Sequence, residues 1–245
     1  EAAKATGGGG KNKKGGNQKE KPVDEDPDGA ALAAVDDPLE KASGFLRTLQ
    51  AHAPNDLRTH TLACELAMRK KRYLLAVKAL RKARSLPGGA ESPAVHTAMI
   101  KFLHAVSNET SLNPTISKVI EENREGIGAP KGKSLAALNA AYGASSSGAA
   151  ATVAVAEMQL LVEPAKKADA LSLIAGVDVS SMSLTLAKET HTLLAKVFKD
   201  ESAASAFKAK ALQRFPVCGH FGGTTPKLIE GPTLPNAQTA PTSAP

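Results

Sequence analysis

The chain has 245 residues, a formal net charge of +7 at pH 7, 42% apolar residues, 3% aromatics and no tryptophan. That length suffices for one or two domains with a buried core. With so few rings, the core volume must come from Leu, Val and tightly packed Ala, which favours helix against helix. Cys64 and Cys218 match neither a disulfide framework nor a paired-cysteine metal site, in keeping with a reducing compartment and no bound metal. The longest uncharged run, 134–156, is mostly Ala, Ser and Gly and fails as a membrane span, so a soluble protein is expected. The chain starts at Glu1 without a signal-peptide pattern and reads as an internal or C-terminal fragment.

In chain order, residues 1–35 read as a disordered arm, basic and then acidic. Residues 1–21 carry six lysines against two acids and four successive glycines; residues 22–40 carry seven acids and no base. Order begins at Asp37-Pro38-Leu39-Glu40, a capping acid followed by proline at the first helical position and glutamate at the third. Leu39, Ala42, Leu46, Leu49 and Ala53 then recur at helical spacing. Pro54-Asn55 stops that helix and caps a second, about 56–69. A third, 73–86, is closed by Pro87-Gly88-Gly89.

Ser92-Pro93 opens a fourth helix on the stripe Val95, Met99, Phe102, Leu103 and Val106, and Asn113-Pro114 a fifth that ends near Gly126. Weaker patterns predict helices over 134–142, 149–162 and 166–175. Stronger ones cover 183–199, on Leu184, Ala187, Leu194 and Phe198, and 201–215. No alternating strand pattern appears. The fold class is therefore all-α, with nine or ten helices over 36–215 stacked as hairpins into a short solenoid or bundle, and a disordered Pro/Thr/Gly-rich tail over 216–245.

Pro54 and Pro87 stand 33 residues apart, close to the tetratricopeptide period of about 34. Tyr73, Ala76, Leu80 and Ala83 have the spacing of the second helix of that repeat, where small residues let two helices approach. The run from Asp37 to Ala83 closely resembles the C-terminal region of the auxiliary subunit of the N-terminal acetyltransferase A (NatA) complex. The likeness lies in Asp37-Pro38-Leu39-Glu40, Phe45-Leu46, Thr59-His60, Ala63 to Glu65, and Arg69-Lys70 with Tyr73-Leu74-Leu75; Arg214-Phe215-Pro216 resembles the family's closing helix. The resemblance implies a non-catalytic scaffold subunit, cytoplasmic and ribosome-associated, whose partners are a catalytic acetyltransferase subunit and ribosomal RNA. Acetyl-CoA would be used by that catalytic subunit, leaving this chain without a cofactor. The alternative is a tetratricopeptide-like adaptor that binds a partner helix or peptide and no RNA.

The candidate phosphate-binding residues are Arg69, Lys70, Lys71, Arg72, Lys78, Arg81 and Lys82, with Glu65 the one acid nearby in sequence. On a helical wheel Lys78, Arg81 and Lys82 point away from the packing face and Arg84 sits at its rim. The plainer account is a solvated helix exterior. Lys11, Lys13 and Lys14 of the arm form a second candidate. The loop Gly126-Ile127-Gly128-Ala129-Pro130-Lys131-Gly132-Lys133-Ser134 misses both the Walker and the acetyl-CoA spacing by one residue and reads as a flexible interhelical loop. His60 and Cys64, one turn apart, read as core, as does His191 with a local hydrogen bond. Cys218 and His220 lack further ligands for a metal.

Overall fold

The computed structural model describes residues 26–224. Among these residues every regular element is helical: eleven α-helices and four short 3-10 turns, with no strand. The first helix, α1 (Ala30–Ala33), was not anticipated. It is one turn inside the acidic stretch, its Ala31 and Leu32 amides donating to the Asp26 carboxylate, and none of its residues is buried.

The next three helices begin and end on local signals. In α2 (Pro38–His52) the Asp37 carboxylate accepts from the Glu40 amide at 2.9 Å. In α3 (Leu57–Arg69) the capping side chain is Asp56, not Asn55, and it accepts from the Arg58 amide. Lys71 stands at φ +52°, and Arg72 N–H and Lys71 N–H return to the Ala67 and Met68 carbonyls. This Schellman turn reverses the chain into α4 (Tyr73–Ser85). Lysine holds a left-handed position that glycine usually takes, and its side chain is fixed by Glu109.

The remaining helices are α5 (Pro93–Ser107), α6 (Pro114–Glu122), α7 (Leu135–Ser145), α8 (Ala149–Val162), α9 (Lys167–Ala175), α10 (Leu184–Lys196) and α11 (Glu201–Arg214). Asn113, Ser134, Ser183 and Asp200 each cap the helix that follows. Their boundaries fall within three residues of those read from the sequence, except that α6 stops at Glu122 and a 3-10 turn covers Glu125–Ile127.

The apolar side chains gather in two clusters. One lies among α3, α4, α5 and the 3-10 turn, the other among α9, α10 and α11. Helix α8 belongs to both: Met158 is buried in the first, while Val153 and Ala156 are buried in the second. Helices α3 and α4 form a tight hairpin through Ala63, Cys64, Ala67, Tyr73, Ala76 and Leu80, with Ala83 fully buried one turn on. Helix α5 lies across that hairpin and then pairs with α8, while α6 packs on α4.

Three expectations change in space. No residue of α2 is buried; Leu39, Ala42 and Leu46 are half-covered, and Phe45 and Leu49 are exposed, so this helix rests on the edge of the bundle. Leu184 is exposed, and α10 instead buries Ala187, Thr190, Leu193 and Leu194. The chain also stays ordered past 215, where a 3-10 turn at Gly219–Phe221 drops Phe221, 1% exposed, into the second cluster.

The α3–α4 seam fixes two stability outcomes. Leu80→Ala is expected to lower the unfolding free energy by about 2–5 kcal/mol. Ala83→Leu, which overfills a fully buried position near the end of α4, should cost about 1–3 kcal/mol. Urea denaturation reads both, and Lys82→Ala on the outer face should change stability by less than about 0.5 kcal/mol.

Candidate functional site

The seven cations expected around α4 divide into two groups once the fold is formed. Arg69 pairs with Glu65 at 2.7 Å, one turn away. Lys70, its side chain only 17% exposed, reaches Glu40 of α2 at 2.6 Å and the Ser43 hydroxyl at 3.0 Å. Lys71 pairs at 2.9 Å with Glu109, a residue from the end of α5. Three of the predicted phosphate ligands are thus already neutralised within the chain. Sequence proximity singled out Glu65 because Glu40 and Glu109 arrive only through tertiary packing.

Glu109 is the best-satisfied carboxylate of the group. It accepts from the Ser111 hydroxyl at 2.6 Å and the Tyr73 hydroxyl at 2.9 Å besides Lys71. The Ser111 bond first, then those from Lys71 and Tyr73, pull its carboxyl from the ordinary 4.5 down to about 2. The same contact anchors Lys71 in its left-handed turn.

The other group consists of Arg72, Lys78, Arg81 and Lys82, all exposed and none facing a carboxylate among the described residues. Lys78, Arg81 and Lys82 line an open groove of about 530 Å3 between α4 and α6, together with Leu74, Val77 and Asn123. Arg81 donates to the neutral Asn123 side chain at 3.0 Å, which orients its guanidinium without cancelling its charge. No acid among the described residues lines this groove. A concave strip with three cations and no counter-charge among the described residues suits a polyanion. Lys11, Lys13 and Lys14 lie outside the described residues.

The glycine-rich loop works differently from a phosphate cradle. Its amides are used internally, Gly128 N–H and Ala129 N–H donating to the Glu125 and Arg124 carbonyls. Its carbonyls face a cation: the Arg124 guanidinium takes the Ala129 and Lys133 oxygens at 3.3 and 3.1 Å. A loop pinned in this way is not the flexible connection its composition implies. Its glycines make room for α4. A Cβ at Gly126 would press within 3.3 Å of the Arg81 Nε, and one at Gly128, where φ is +88°, would collide with the Arg84 guanidinium.

Elsewhere, His60 is buried with Nε2 2.7 Å from the Pro54 carbonyl, and Cys64 is fully buried, its thiol pushed up to about 12 chiefly by burial. A protonated thiol is no nucleophile, so this pair is packing. His191 is half-buried rather than core, and its partner is not local: Nδ1 lies 3.0 Å from Nε2 of His220 in the C-terminal turn. No three metal-ligating side chains gather among the described residues, and no helix there is long and apolar enough to cross a membrane. One feature escaped the sequence altogether, a groove of about 1170 Å3 between α3, α5, α8 and α10. It is formed by residues up to 162 positions apart in number, Arg58 and His220, and no local pattern announces it.

Residues 1–83 match the family model described as N-terminal acetyltransferase A, auxiliary subunit. The chain is 35% identical over 229 residues to the N-terminal acetyltransferase A complex auxiliary subunit NAA15 of Arabidopsis thaliana, a match that covers 86% of this chain and 25% of the relative. Over 96 residues it is 35% identical to N-alpha-acetyltransferase 16, NatA auxiliary subunit, of Mus musculus, and 32% identical to the protein of that name in Homo sapiens. Each of these covers 39% of this chain and 11% of the relative. The chain therefore spans a quarter or less of the length of the curated relatives it matches.

The Glu109 contacts give a pH-dependent outcome. Its carboxyl titrates lower in the folded chain than in the unfolded one, so its contribution is complete above 4.5 and disappears as the pH falls toward about 2. Thermal melts of the parent and Glu109→Gln should differ fully at pH 7 and converge below pH 4.5, the variant having lost the ion pair at every pH.

Proposed function

Because the chain belongs to the NatA auxiliary-subunit family, we propose that it is a non-catalytic scaffold portion of an N-terminal acetyltransferase complex that holds the complex against ribosomal RNA through the outer face of α4. In this reading acetyl-CoA is bound and used by a separate catalytic subunit, this chain carries no cofactor, and the complex works in the cytoplasm on emerging chains. The observation that carries the docking step is the open strip of Lys78, Arg81 and Lys82, whose charge nothing within the described residues cancels. Nucleic-acid binding through such side chains releases counterions, so its affinity falls steeply with salt.

A second reading, an adaptor without RNA contact, draws support from the groove between α3, α5, α8 and α10. Its wall carries Leu62, Leu184 and Val197, each of them exposed. An amphipathic partner helix would cover them.

Ribosome co-sedimentation across about 50–200 mM salt separates the two readings. Under RNA docking, reversal of Lys78, Arg81 and Lys82 to Glu abolishes the salt-sensitive fraction and reduces the log–log salt slope by about 2–3. Arg69→Gln and Lys70→Gln, which remove charges already paired, leave that slope nearly intact. Binding that persists in the triple reversal, survives salt and is lost with Leu62→Asp and Leu184→Asp belongs to the adaptor.

A further inference from the structure

The loop after α6 folds over the end of α4 and the first turns of α5, and with α7 it encloses a third, smaller cavity of about 310 Å3. Three properties of its wall define what it would hold. Its body is apolar, built from side chains such as Val95, Met99, Ile127 and Leu138. One side is a pair of flat rings, His96 and Tyr142, stacked with centroids 3.9 Å apart and planes 8° from parallel. Its mouth carries two cations, Arg84 and Lys133, and among the described residues no carboxylate lines it.

Each of these groups is held in place by the fold. Tyr142 donates its hydroxyl to the Glu91 carbonyl at 2.9 Å, and Asn139 donates its amide to the Val155 carbonyl at 2.9 Å. The Asn139 oxygen is thereby turned to His96 and accepts from Nε2 at 2.9 Å, which leaves Nδ1 of His96 as an acceptor with no partner among the described residues. Burial keeps this imidazole below its usual range and so neutral. The Arg84 guanidinium lies against Gly128, on space that any side chain at that position would take, and neither it nor the Lys133 ammonium forms an ion pair within the described residues. A half-buried arginine that is positioned but unpaired has its hydrogen-bonding capacity still to be satisfied.

The volume sits at the lower end of small-molecule sites, about 300–1,000 Å3, and is too small for a folded segment. Two cations at the mouth select an anion, the stacked wall selects a planar ring, and the free imidazole nitrogen selects a ring that donates a hydrogen bond. We propose that the cavity between α5, α7 and the 126–134 loop is a binding site for a small aromatic acid, its carboxylate held by Arg84 and Lys133 and its ring against His96 and Tyr142.

Indole-3-acetate is a suitable probe, having a carboxylate, a flat ring and an N–H. Phenylacetate lacks the N–H, and indole-3-ethanol lacks the charge. Titrated into the 245-residue chain and followed by the ring resonances of Tyr142, one of only two tyrosines, and of His96, indole-3-acetate should give saturable shifts. Arg84→Met and Lys133→Met should each raise its Kd about tenfold. Indole-3-ethanol should bind at least about tenfold more weakly and ignore both substitutions. Phenylacetate should bind between the two. Ala141→Phe, placed at the mouth on an exposed position of α7, should block all three probes without touching the core, and it serves as the test if an Arg84 variant does not fold. The assignment is overturned by absence of saturation at about 10 mM, by equal affinity for the acid and the alcohol, or by binding that persists in Ala141→Phe.

Discussion

Close approach between helices of small residues is the constraint on which this structure rests. With four of its six phenylalanines, Phe102, Phe198, Phe207 and Phe221, buried in the clusters, the chain has few large side chains left to fill space elsewhere. Density comes instead from crossings at Ala63, Ala76 and Ala83, and at Gly143, where a Cβ would stand 3.3 Å from Val155. Dispersion contacts fall away steeply with separation, so a seam of alanines contributes only if backbones are held near one another. The devices that hold them are polar: the Schellman turn at Lys71, the caps, and the Glu109 cluster that ties the start of α4 to the end of α5.

Helix α8 extends that constraint across the molecule. It is alanine-rich on its buried faces, with Glu157 its one charged residue, and Glu157 is met by Lys101 of α5 at 2.6 Å. A helix apolar on most of its circumference must be covered on most sides, and α5, α7 and α9 supply that cover. Where α10 diverges from α5, the large groove opens; where the 126–134 loop bridges α4 and α7, the small cavity forms.

The sequence revealed what acts over a few residues. Proline, capping side chains and apolar spacing placed the helices of the main bundle, α6 excepted, to within about three residues, and Tyr73, Ala76, Leu80 and Ala83 could be read as packing because a helix repeats its face within one turn. What acts over distance was hidden. Lys70 looked free because Glu40 is thirty positions away, and Lys71 because Glu109 arrives from the loop that follows α5. Phe221 looked disordered because the glycines and prolines around it have no period, yet one ring in a hydrophobic pocket is enough to order a turn. Leu39, Ala42, Leu46 and Leu49 form a helical stripe with little to cover it, since α2 touches mainly α3. Periodicity states which face is apolar, not whether something meets it.

The glycine-rich loop makes the same distinction within nine residues. Its letters nearly spell a phosphate motif, and the motif fails on hydrogen-bond direction: amides turned inward and carbonyls turned to Arg124 repel an anion at the backbone. The cations that the loop supports do the opposite. Gly126 gives Arg81 room on the side of α6, and Gly128 gives Arg84 room on the side of α7, so a single loop splits the positive end of α4 between an open strip and an enclosed mouth. The strip lies in the stretch that matches the family model, and Arg84 stands just past its last residue. The two surfaces are served by different side chains of one helix, so a substitution at Lys78 or Lys82 changes the first while leaving the second intact.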